Sequence, residues 1–190
     1  MFEKTNSHEM RLEYQALWVF FCAVIYFYAF KVNSFLFDWL EFSNGVSWIF
    51  IPSGLRLVFV LVLHQAGAIG IVLASCLINY TQGQPDAHLF NIVTGLLSGL
   101  SPFLARVIAI DFFKFNTNLD GLTVHTLFKT SMLFAVISGI LHQLWFFWAG
   151  LTETFVTNTF VMVVGDCAGT ILVMVSASFL FKTYQKLFIH

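Results

Sequence analysis

Apolar residues fall along this chain in long runs separated by short polar breaks, and the run lengths set the first expectation. A helix needs about 20 mostly apolar residues to cross the hydrocarbon layer of a bilayer. Six stretches approach that length: residues 14–30, 48–63, 66–80, 89–113, 127–148 and 160–181. Lys31 closes the first, His64-Gln65 is a minimal turn between the second and third, and the string Thr81 to Ala87 (TQGQPDA) is a clear breaker. The polar linker Asn116 to Thr123 parts the fourth from the fifth. After the first run, Ser34, Asp38 and Glu41 share one face at helical spacing, with Phe35, Phe37, Trp39, Leu40 and Phe42 around the rest. That pattern predicts a short interfacial helix over residues 34–42. The expected fold class is all-α: one integral membrane domain over residues 1–190, a polytopic bundle of about six transmembrane helices plus the interfacial helix. The second and third runs are short enough to form a re-entrant hairpin instead.

Composition agrees. Apolar residues make up 58% and charged residues 10%, with mean hydropathy +0.83, which leaves too little polar surface to cover a soluble domain. Lipid is the expected main partner. Only 3 Pro stand beside 24 Phe, favouring continuous helices, and nothing shows the alternation of a membrane β-barrel. The net charge of -1 and the scattered Lys and Arg set aside a nucleic-acid partner. Cys22, Cys76 and Cys167 all lie inside apolar runs with no C-x-x-C pair, so they read as small buried hydrophobes. Glu3, Glu9 and Glu13 beside Lys4 and Arg11, with no small-residue cleavage site after the first run, argue against a cleaved signal peptide. With the amino terminus in the cytoplasm, inner segments hold Lys4, Arg11, Lys114, Lys129, Lys182 and Lys186, and outer loops hold only Lys31. This satisfies the positive-inside rule with both termini cytoplasmic, and a bacterial inner membrane is the expected location.

Chemistry would live where hydrocarbon makes charge expensive. Arg56, Arg106, Asp166 and the titratable His142 lie within expected spans, and a lone charge at mid-bilayer costs about 2.5–3.5 kcal/mol on insertion scales. Counted from the outer ends of their spans, Arg56, Asp166 and His142 all sit roughly 9–14 Å below the surface. They are expected to meet in one layer, with Ser53, Asn79 and Trp145 joining it. Pro52-Ser53-Gly54 would loosen the second span above Arg56, and Gly165 and Gly169 flank Asp166 with room for close helix approach. An outward-opening polar pocket between helices, holding a small-molecule ligand, is one expectation; a purely structural ion pair is the other. Arg106 lies nearer the cytoplasmic end, where a long side chain can snorkel toward lipid phosphates. Gly95 and Gly99 form a G-x-x-x-G pair that marks a tight crossing, within the bundle or between protomers of a homo-oligomer. No nucleophile–base pair, phosphate loop, H-E-x-x-H or paired metal-ligand spacing occurs, so neither enzyme, metal nor cofactor is expected.

Two blocks carry a family resemblance. VSWIFIPSGLRLVFVLVLHQAGAIGIVLASCLIN (Val46 to Asn79) resembles the Trp-leucine-Pro-x-Gly start, followed by apolar and Gly/Ala-rich helices, of bacterial membrane-associated sensor (MASE-type) domains. VGDCAGTILV (Val164 to Val173) resembles the closing Gly-Asp-x-x-Gly helix of that family. The resemblance implies a helical sensory module, with Pro52, Gly54, Gly165, Asp166 and Gly169 in the corresponding motif positions. Such modules usually join cytoplasmic kinase or cyclic-dinucleotide enzymes. Here the sequence stops after Lys182 to His190, so a signal would pass to a separate membrane or cytoplasmic protein partner. Size and layout are also similar to the substrate-binding components of energy-coupling-factor vitamin transporters, and an accessory or scaffold subunit of a larger membrane complex is the third expectation.

Overall fold

The computed structural model describes residues 2–43, 45–82 and 87–188. Its helices are α1 (Phe2–Phe37), α2 (Pro52–Gln82), α3 (His88–Phe113), α4 (Val124–Trp148) and α5 (Phe155–Phe188). By length and composition α1, α3, α4 and α5 can each cross a membrane, as can α2 taken over its whole length, so the chain is an all-α, multi-pass membrane protein. The distribution of side chains is the inverse of a soluble protein's. Phe35 is 88% exposed and Phe112 77%, whereas Arg56, Asn91 and Asp166 are each 1% exposed. Apolar groups face outward because lipid solvates them; polar groups turn inward because only protein can satisfy them. Buried hydroxyls follow the same logic: Ser101, Thr130, Ser131 and Thr170 each donate to the carbonyl four residues earlier on their own helix.

The helix count differs from the expectation at two places. The expected spans 48–63 and 66–80 are the arms of one element, α2, broken at His64, whose φ of 53° and ψ of −119° are not helical. In a straight helix, residues eight apart are separated by about 12 Å along the axis, yet a Cβ at Gly67 would run into the carbonyl of Phe59. Phe59 and Val60 also share one core cluster with Ile71, Ala74 and Ile78. The chain therefore doubles back at His64, and its two arms pack on each other and on Cys22 and Tyr26 of α1. The expected interfacial helix over residues 34–42 is the second difference. α1 continues unbroken to Phe37, and a 3-10 turn (Asp38–Leu40) leads into a strand pair, β1 (Glu41–Ser43) and β2 (Val46–Ser47). Gly45 turns this hairpin with φ 73°, and its N–H donates to the Glu41 side chain at 2.9 Å. The breaker loop falls partly on residues 83–86, outside the described residues.

Packing runs α1 on α2, α2 on α3, α3 on α4, α4 on α5 and α5 back on α2. The G-x-x-x-G pair seals the second contact: Cβ atoms at Gly95 and Gly99 would meet Cys76 Sγ and the Ala68 carbonyl. It marks a crossing inside the bundle.

Candidate functional site

The site begins with backbone that is not helical. After β2 the chain runs without regular structure through residues 48–50 before α2 opens at Pro52, and buried amides in such a stretch must find partners inside the protein. Phe50 N–H donates to the Gly165 carbonyl of α5 at 3.2 Å, and Trp48 N–H to the Leu40 carbonyl at 3.1 Å. Ile51 N–H donates to Oδ1 of Asn33 on α1 at 2.8 Å; Asn33 itself is buried. Pro52 suits the first helical position, with φ preset and no N–H to lose. Asn33→Leu would leave the Ile51 amide orphaned at a cost of about 1–3 kcal/mol. A lower unfolding midpoint in detergent, with Asn33→Asp retaining more stability than Asn33→Leu, is the expected result.

This segment approaches α5 closely because glycine lets it. A Cβ at Gly165 would collide with the Ser47 carbonyl, and one at Gly169 with the Phe50 carbonyl and the Ile51 amide. One turn on, a Cβ at Gly54 would press on Val173 and Thr170. The two sequence blocks, Pro-Ser-Gly and Gly-Asp-x-x-Gly, are therefore the two halves of a single contact. Ser53 ties it, its hydroxyl lying 2.7 Å from the Phe50 carbonyl and 2.8 Å from the Asp166 carbonyl, with Thr170 Oγ1 at 3.5 Å.

This contact brings Arg56 to Asp166. Arg56 Nη2 donates to Asp166 Oδ1 at 2.9 Å, and the two side chains are 2% and 1% exposed. The guanidinium carbon lies 5.3 Å from the Phe50 ring centre and 5.2 Å from that of Phe134, so two aromatic faces take the place of water around the cation. The pair does not use all its hydrogen-bonding capacity. Arg56 Nε and Asp166 Oδ2 are buried without a hydrogen-bond partner among the described residues. The Ser138 hydroxyl lies beside the Asp166 carboxylate, yet it too falls short of hydrogen-bond geometry.

His142 joins this layer through Ser138. Its Nδ1 lies 2.8 Å from the Ser138 carbonyl, which can only accept, so Nδ1 carries a hydrogen. Nε2 lies 3.3 Å from Ser98 Oγ, which is also 3.0 Å from the Thr94 carbonyl. One Ser98 hydrogen must serve either acceptor. Gln143, fully buried beside it, reaches Met162 Sδ at 3.6 Å and leaves Oε1 without a partner among the described residues.

Two expected members are placed elsewhere. Asn79 Nδ2 donates to the Asn91 carbonyl at 3.2 Å, tying the end of α2 to the start of α3. Trp145 Nε1 donates to Thr94 Oγ1 at 3.1 Å, and its ring stacks on Phe90 and Trp148 at centroid distances of 6.0 and 5.2 Å. Both bonds are made to the first two turns of α3. Asn33, Phe50, Phe134, Ser98, Ser138 and Thr170 are the members that sequence reasoning missed. Only two carried a signal: Ser138 and Thr170 each stand four residues from His142 and Asp166, on the same helix faces.

Where an outward-opening pocket was expected, the Arg56–Asp166 pair is buried and packed by the Phe50 and Phe134 rings. Two concavities lined by apolar side chains lie on the outer surface, one of about 430 Å³ along Leu17, Trp18, Phe20, Phe21 and Val24, the other of about 280 Å³ along Leu144, Phe147 and Phe155. Neither touches the polar layer. No group of three or more His, Cys, Asp or Glu side chains that could hold a metal occurs among the described residues. Comparison of the chain with protein-family models, with curated proteins and with solved structures returns no match.

Proposed function

We propose that this chain is a sensor-like integral membrane module of the bacterial inner membrane, both termini cytoplasmic, whose response centre is the Arg56–Asp166 contact between α2 and α5. The observation that carries the reading is the pair itself: a buried cation and anion joined by one hydrogen bond, with Arg56 Nε and Asp166 Oδ2 without a partner among the described residues. Hydrocarbon makes such groups costly, and within membranes they ordinarily mark function. A short segment seated on a glycine groove is also an element that can exist in two packings, docked and undocked, and a partner or small ligand that favours one would shift the balance. α5 supplies the output, because it runs from this contact toward the cytoplasmic side, where residues 175–180 are exposed. The resemblance to MASE-type domains rests on the two blocks that meet here.

A second reading, an accessory subunit of a larger membrane complex, is favoured by the burial of the pair, whose side chains are only 2% and 1% exposed. The same observation weighs against a vitamin-binding transporter component. Cross-linking the full chain in native membranes, then identifying associated proteins and co-eluting solutes by mass spectrometry in wild type and Arg56→Gln/Asp166→Asn, separates the three. The sensor reading expects a signalling partner whose association changes in the double variant. An unchanged partner set would support the accessory subunit, and a stoichiometric solute with an energising module would support the transporter.

A further inference from the structure

Arg106 presents the opposite case to Arg56. It is only 7% exposed, yet the Arg56–Asp166 pair is the single ion pair among the described residues, so no carboxylate neutralises it. The loop after α3 covers it: Nη2 donates to the Thr117 carbonyl at 3.1 Å, while Nε is buried without a partner. Nη1 makes no hydrogen bond among the described residues. A covered guanidinium with donors to spare calls for an anion.

The surroundings say which. Lys129 of α4 holds its ammonium 5.8 Å from the centre of the Phe113 ring, and Lys114, exposed, caps α3 in the left-handed conformation with φ 57°. Asp111 and Asp120, both exposed, and the exposed His125 are the other ionisable groups between residues 107 and 129. The backbone of Arg106 stands about 10 Å from the end of α3, roughly 5 Å inside the hydrocarbon for a helix of this length, and its side chain reaches toward the loop, which brings the guanidinium to the level of the phosphates. Val107, Phe112, Val124 and Phe128, on the same ends of α3 and α4, are 43%, 77%, 86% and 49% exposed, an apolar surface against which acyl chains lie. We infer that Arg106, with Lys114 and Lys129 at its rim, binds the phosphate of an anionic phospholipid in the leaflet that meets the 114–123 loop.

The test uses the full chain, delipidated in a neutral detergent, with phosphatidylglycerol, phosphatidylcholine and inorganic phosphate as probes, read by native mass spectrometry and by the unfolding midpoint. Wild type is expected to bind phosphatidylglycerol about tenfold more tightly than phosphatidylcholine, with Arg106→Gln removing that preference and Lys129→Gln weakening binding about fivefold. Arg106→Lys, which keeps the charge and loses the fork of donors, should retain an intermediate affinity. Equal phosphatidylglycerol affinity in wild type and Arg106→Gln would overturn the site. Phosphatidylcholine binding as tight as phosphatidylglycerol would overturn the anionic specificity, and phosphate alone reproducing the stabilisation would overturn the lipid source. Should Arg106→Gln fail to fold, unchanged affinity in both Arg106→Lys and Lys129→Gln would overturn the inference equally.

Discussion

Asp166→Asn, made alone, should destabilise the protein by about 3–5 kcal/mol, because it leaves a guanidinium buried with no counter-charge. No second carboxylate pairs with Arg56 among the described residues to take the place of Asp166. The two aromatic faces at 5.3 and 5.2 Å soften the loss without replacing the carboxylate. Arg56→Gln should cost less, because a stranded carboxylate can take up a proton and become neutral. The double variant Arg56→Gln/Asp166→Asn should be more stable than the sum of the singles requires, with a coupling energy of about 1–3 kcal/mol. Unfolding in mild detergent or nanodiscs, titrated with sodium dodecyl sulfate, measures all four corners of the cycle. Simple additivity would remove the pair from any account of this bundle.

The second large effect reverses an ordinary sign. Glycine to alanine in a helix interior normally gains about 1 kcal/mol. Gly169→Ala should instead lose about 2–4 kcal/mol, because the new methyl group meets the Phe50 carbonyl and the Ile51 amide, backbone on which no side-chain rotation can act. Moving that segment off α5 would also break the Phe50 N–H bond to Gly165. Gly165→Ala should behave alike against the Ser47 carbonyl. In the sensor reading, both variants should mimic the undocked state, so partner association should change together with stability. A stabilised Gly169→Ala would show that the segment does not lie on this groove.

Much of this was legible before any coordinates. The fourth run, 89–113, matches α3 at His88–Phe113 because a long apolar run bounded by polar breakers leaves the backbone in lipid no alternative to helix. The meeting of Arg56 and Asp166 was legible for a related reason: a charge that hydrocarbon rejects must seek its opposite, and the depths agreed. Depth, however, says nothing of azimuth. Asn79 and Trp145 were expected in the same layer and instead bond to α3, at the Asn91 carbonyl and the Thr94 hydroxyl. The 34–42 segment misled for another reason. Helical spacing of Ser34, Asp38 and Glu41 describes a face but not an end, so periodicity could not separate a new helix from the last turns of α1 and the hairpin that follows.

The division has one physical origin. Bilayer solvation acts on each segment alone, so the chain's own pattern of apolar runs, glycines and isolated charges was enough to establish an all-helical membrane protein and to single out the residues that cannot face lipid. The doubling back at His64, the segment seated on Gly165 and Gly169, and the bond between side chains 110 residues apart depend on how helices rotate against one another. That rotation is decided by packing and by the pairing of every buried polar group at once, which no local stretch of sequence contains.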